Sequence, residues 1–208
     1  MNPIATYLST WRRMPPVRVY DTTLDRLKPL DGVPPLLLRL ILAPVMIQAG
    51  WMKATGFSGT VYWFGNSLGL PLPELMAFLA TAAELVGGIM LLAGLATRLV
   101  AVPLMITMLV AALTVHWENG WLVLSDASSW LANDRIAEAV PRKAEIISIL
   151  KEHGDYRWLT GRGSVTILNN GIEFAAMYFV MLLSLFFTGG GRYTSIDYWL
   201  GRVAKRSV

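Results

Sequence analysis

ELMAFLATAAELVGGIMLLAGLATRLVAVPLMITMLVAALTVH, from Glu74 to His116, decides the fold. Between its two ends the only charged side chains are Glu84 and Arg98. A helix that crosses a bilayer needs about 20 mostly apolar residues, ~17 where the membrane is thin. The stretch holds two such runs, 75–95 and 99–115. GLATR, Gly94 to Arg98, is the only turn between them, so the two helices form a tight antiparallel hairpin. Ala80, Ala82, Ala83, Gly87 and Gly88 give the first run a small-residue centre that lets a neighbouring helix approach closely.

Two more apolar blocks, 35–52 and 165–188, flank the hairpin. The 208-residue chain is 54% hydrophobic and only 15% charged, against about 25% charge in an ordinary soluble domain. A soluble fold would leave large apolar patches in water. The sequence therefore predicts an all-α integral membrane protein, a four-transmembrane-helix bundle with helices at about 35–53, 74–95, 98–116 and 165–188.

The remaining segments read as interfacial or polar. Residues 1–34 form a basic arm with Arg12, Arg13, Arg18, Arg26 and Lys28, and the series Val19, Leu24, Leu27 and Leu30 suits an interfacial helix. Loop 54–73 carries Phe57, Tyr62, Trp63 and Phe64 among glycines and prolines, as expected of a re-entrant or interfacial cap. Insert 117–164 contains an amphipathic series that Pro141 divides, which predicts two short surface helices. Residues 35–198 thus form the membrane domain, insert included, and 199–208 a basic tail. With four spans both termini share a side. Eleven Lys and Arg fall there against seven opposite, so the positive-inside rule puts both termini in the cytoplasm and the insert outside.

Composition also excludes chemistry. The absence of cysteine removes disulfides, thiol catalysis and cysteine-ligated iron–sulfur clusters. Net charge +4 does not indicate nucleic-acid binding, because the basic residues border the apolar blocks and no binding motif is present. Met105 and Met108 lie three apart, but methionine is ordinary core material, and no metal ligands are assigned.

Polar residues inside apolar helices are the candidates for function. Glu84 sits mid-span, where a carboxylate must be protonated, paired or hydrated. Glu84, His116 and Glu173 are candidate proton-handling groups. Lys53, Gln48, Glu84 and Asn169 are candidate ligand-binding groups, with Gln48 one turn deeper than Lys53 and assigned to the same face. Glu173 and Asn169, four apart, share a helical face in this reading, and Glu173 competes for an ion pair with Lys53 or Arg162. Arg39 snorkels to the headgroups. Arg98 pairs with Asp197.

LLRLILAPVMIQAGWMK (36 to 53 region), ELVGGIMLLAGLATRLVAVPL, the end at His116 and the closing GGGRYTSID resemble the DoxX family of small four-helix membrane proteins. VYWFGN, MITMLVAALTVHWENGW, YRWLTGRGSVTILNNGIEFA and FFTGGGRYTSIDYWL are similar to its longer members associated with maturation of copper-binding modified peptides. That resemblance implies a bacterial inner-membrane accessory protein for maturation or export of such a peptide, meeting another membrane or periplasmic protein or peptide through 117–164. The wider family implies an alternative, a quinone-interacting subunit of a membrane oxidoreductase. A small transporter, which would require a homodimer, is the third expectation. The family supplies no catalytic residue to carry over.

Overall fold

The computed structural model describes residues 15–206. Residues 1–14, with the arginines at 12 and 13, and residues 207–208 lie outside the described residues, so the arm and tail are seen only in part.

The chain opens with α1 (Pro15–Leu27), whose Val19, Tyr20 and Leu27 are at least half exposed, and a short 3-10 turn leads to α2 (Val33–Thr55). Prolines in the first turn of α2 cost nothing, since those N–H groups have no helical partner, whereas Pro44 interrupts the ladder inside. After Gly56 come α3 (Phe57–Tyr62) and a π-helical turn, Trp63–Ser67. Leu72 in the left-handed region and Pro73 at the first helical position start α4 (Pro73–Ala93). Gly94, also left-handed, ends it. Helix α5 (Thr97–Ala111) runs back and continues through a π turn, Ala112–His116, and a 3-10 turn, Trp117–Asn119.

Beyond Gly120 the chain carries α6 (Asp134–His153) and α7 (Tyr156–Leu159), then returns to the bundle as α8 (Glu173–Thr188), and α9 (Ile196–Ala204) follows. The bundle core is formed by Leu42, Ala43 and Met46 of α2, Leu91 of α4, Val100, Leu104 and Met108 of α5, and Leu182 and Leu185 of α8. Helices α2 and α4 meet most closely because Gly50 and Gly88 lack side chains. A Cβ on Gly50 would collide with the Leu85 backbone, and one on Gly88 would stand 2.9 Å from Ile47.

Three helical stretches, Val33–Thr55, Pro73–Ala93 and Thr97–Asn119, are long and apolar enough to cross a membrane. The fourth corrects the expectation. It begins at Glu173 rather than near 165 and has 16 residues, or about 24 Å at 1.5 Å per residue against a ~30 Å hydrocarbon core. Residues 165–172 are not helical. They run antiparallel beside the segment after Gly120, with Leu124 bridging to Leu168, Ser125 N donating to Ile167 O at 3.0 Å and Asn169 N to Val123 O at 2.8 Å.

Pro141 does not divide the insert helix, which is continuous from Asp134 to His153. Asn133 caps it by accepting from Ile136 N at 3.1 Å, and Pro141 deprives only the carbonyl of Ala137, an exposed residue, of its helical donor. Arg39 does not snorkel. It is 2% exposed and donates to the carbonyls of Leu92, Gly190 and Thr194. Leu92 O is one of the orphan carbonyls at the negative end of α4, so a buried cation is well placed there.

Nor do Arg98 and Asp197 pair directly. Asp197 accepts from Ala96 N at 2.6 Å and Thr97 N at 2.9 Å, at the positive end of α5, while Arg98 donates to Phe187 O at 3.1 Å. These contacts, with the Asp31–Arg192 pair at 3.1 Å, gather the start of α2, the segment after α8 and the α4–α5 turn at one end of the bundle.

Candidate functional site

At the other end the helices enclose a cavity of about 780 Å³. Its wall is mostly apolar and draws on α2, α4, α5, α8 and both π turns. Into this wall project Lys53 from the last turn of α2 and Glu84 from the middle of α4. Lys53 Nζ donates to Glu84 Oε2 at 2.6 Å, with the Glu84 side chain 6% and the Lys53 side chain 23% exposed. The pair satisfies the cost of a carboxylate deep in a helix and leaves the lysine as the more accessible member.

His116 also lines the cavity. Its Nδ1 lies 2.8 Å from the carbonyl oxygen of Asn170. A carbonyl can only accept, so Nδ1 carries the hydrogen and Nε2 is left to accept or gain a proton. Asn170 adopts φ 61°, and its carbonyl also accepts from Asn119 Nδ2 at 3.0 Å.

The structure thus brings Lys53, Glu84 and His116 together around one cavity and leaves the other candidates out of it. Gln48 is exposed on the outside of α2. Five residues at about 100° each separate it from Lys53 by roughly 140°, so the two do not share a face. Asn169 precedes α8 and is 1% exposed. Its Nδ2 donates to the carbonyls of Asn119 and Leu122 at 2.8 and 2.7 Å. Glu173, expected to pair with Lys53 or Arg162, instead accepts from Val123 N at 3.1 Å. Both side chains fasten the returning segment to the end of the bundle.

Residues not singled out as candidates complete the wall. Trp63 and Phe64 come from the first π turn, Phe174 and Tyr178 from α8, Thr107 from α5 and Thr114 from the second π turn. The threonines are seven apart, two helical turns, and this spacing in an apolar run was the available signal. Both π turns border the cavity, and such turns recur where helices are shaped around a site. Leu79, Ile106 and Val110 line it as well, yet are 50%, 57% and 38% exposed. Among the described residues no group of three His, Cys, Asp or Glu could hold a metal ion.

A small multi-pass helical membrane protein with a charged pair in an apolar, aromatic-walled cavity is the class these features define. The sequence model of the DoxX family matches residues 35–117, so this part of the chain is similar to that family. The match runs from the first turn of α2 to Trp117, where the insert begins. The chain is 42% identical over 80 residues to "Putative oxidoreductase CatD" of Bacillus subtilis (strain 168), covering 38% of this chain and 58% of that protein. It is 34% identical over 92 residues to "Inner membrane protein YphA" of Escherichia coli (strain K12), covering 44% of this chain and 64% of that protein. The aligned region is less than two thirds of either relative. No solved structure matches.

Proposed function

We propose that the chain is a quinone-interacting membrane subunit of an oxidoreductase, with the cavity between the helices as its ligand site. The observation that carries this reading is the Lys53–Glu84 pair set in an otherwise apolar, aromatic wall. Such a site favours a flat, amphipathic molecule with a polar head and an apolar body. The name of the Bacillus relative supports an oxidoreductase connection.

A quinone supplies a head that takes up two electrons and two protons. The residues here supply position and protons. Lys53 and Glu84 are the residues that would hold the head, Lys53 Nζ as a hydrogen-bond donor to an oxygen of it and Glu84 as an acceptor. His116, with Nε2 not committed to Asn170, passes protons between the cavity and the insert end. Trp63, Phe64 and Tyr178 offer ring faces to the head. Leu79 and Ile106, both on the wall and exposed, support entry from the bilayer. Electrons come from a partner protein, since the chain lacks cysteine and bears no recognised motif for haem, flavin or an iron–sulfur cluster.

The alternative of assisting maturation of a copper-binding peptide has no metal-holding cluster behind it among the described residues. The deciding experiment is mass spectrometry of small molecules retained by protein purified gently from its native membrane, comparing the unaltered chain with Glu84→Gln and Lys53→Met. A retained quinone, reduced at least tenfold in both variants at unchanged folding, is expected. Retention of a modified peptide instead, with no quinone in any sample, overturns the reading.

A further inference from the structure

A strict seam runs down the outside of α2. Leu37, Ile41, Pro44, Gln48, Trp51 and Thr55 are spaced by four, three, four, three and four residues, and every one is exposed. This is the alternation of a left-handed helix pair, flanked on the same exposed face by Leu40 and Met52. The other face of α2 already serves that purpose, with Arg39, Leu42, Ala43, Met46 and Gly50 buried.

Gln48 makes the seam more than an apolar stripe. It lies seven residues before the end of α2, about 10 Å inward at 1.5 Å per residue. The exposed hydroxyls of Thr55 and Thr114 donate to carbonyls of their own helical stretches, Trp51 O and Val110 O, which satisfies them in hydrocarbon. The Gln48 amide, with two donors and an acceptor, has no hydrogen-bond partner among the described residues. Lipid tails offer it none.

We infer that a second copy of this chain docks on the seam, with Gln48 of each copy donating to and accepting from the other across a two-fold axis. A primary amide is complementary to itself, so the same residue on both sides satisfies both. A symmetric contact of this kind is the common form of a homodimer. A single polar side chain in such a seam also fixes the register. This inference does not depend on what the cavity binds.

Because the chain contains no cysteine, one introduced cysteine reports its own position. Ile41→Cys, Trp51→Cys, Ile89→Cys and Val180→Cys, each with Gln48 intact, would be oxidised with copper phenanthroline in native membranes. Positions 41 and 51 should give a band of twice the chain's mass that contains only this protein. Positions 89 and 180, equally exposed on α4 and α8, should stay monomeric. Separately, Gln48→Leu should weaken self-association in dilution energy-transfer measurements by roughly tenfold, and Gln48→Asn by less. The inference fails if 41 and 51 cross-link no better than 180, if the band contains another protein, or if Gln48→Leu associates like the unaltered chain.

Discussion

Arg39 and Gly190 are 151 residues apart in sequence and joined by a buried hydrogen bond. The same guanidinium also holds Leu92 O at 3.2 Å and Thr194 O at 3.1 Å. Arg39→Met would strand three carbonyls, each costing about 1–3 kcal/mol if left without a donor. A loss of several kcal/mol is expected by chemical unfolding in detergent. Arg39→Lys should fall between the two, because an ammonium cannot span the same fork of acceptors.

The Lys53–Glu84 pair calls for a double-mutant cycle. Glu84→Leu leaves a lysine facing an apolar wall, and Lys53→Met leaves a carboxylate that is 6% exposed. Breaking a buried pair from one side costs about 3–5 kcal/mol, whereas replacing both members is far milder. The double variant should therefore be more stable than the sum of the singles predicts, by at least 1 kcal/mol on the scale of contacting residues. Additive losses would mean that the two side chains do not act as a pair.

Close approach of α2 and α4 rests on Gly50. Gly50→Ala forces the Leu85 backbone away and should destabilise the protein by roughly 1–3 kcal/mol. Gly59→Ala is the matched control. Nothing lies within 4 Å of its added carbon, and replacing a helical glycine by alanine gains up to about 1 kcal/mol. Opposite shifts in melting temperature are expected.

Asn169 ties the returning segment to the loop after Asn119. Asn169→Ala removes both amide bonds, at about 1 kcal/mol each, and should raise hydrogen exchange at the amides of 123, 125 and 169–173. Exchange in α2 and α4 should stay unchanged.

Sequence alone placed Glu84 inside a helix because a carboxylate interrupts a long apolar run. It did not yield the partner, because pairing depends on how α2 rotates about its axis, and that rotation is set by packing at Gly50 and Gly88. The same uncertainty assigned Gln48 to the face of Lys53. The start of the fourth helix is hidden in the sequence for a different reason. Ile167, Leu168 and Ile172 are as apolar as the helix after them, but they pair with the segment that starts at Gly120. Asn169, Asn170 and Gly171 were the signs of a break, and Gly171 is needed there, since a Cβ would crowd the Gly120, Trp121 and Leu122 carbonyls. Arg39 was read from its position near a helix end, and only the return of the chain at 190–194 explains its burial.

The polar contacts of Arg39 and Asp197 are concentrated at one end of the bundle and the cavity lies at the other. The α4–α5 hairpin is thus closed at its GLATR end and parted by the cavity at the other, where single ties such as Lys53–Glu84 and His116–Asn170 span the gap. Local opening favours the less densely packed end of a structure. Filling the cavity should therefore slow hydrogen exchange at the cavity end of the α4–α5 hairpin more than at the GLATR end.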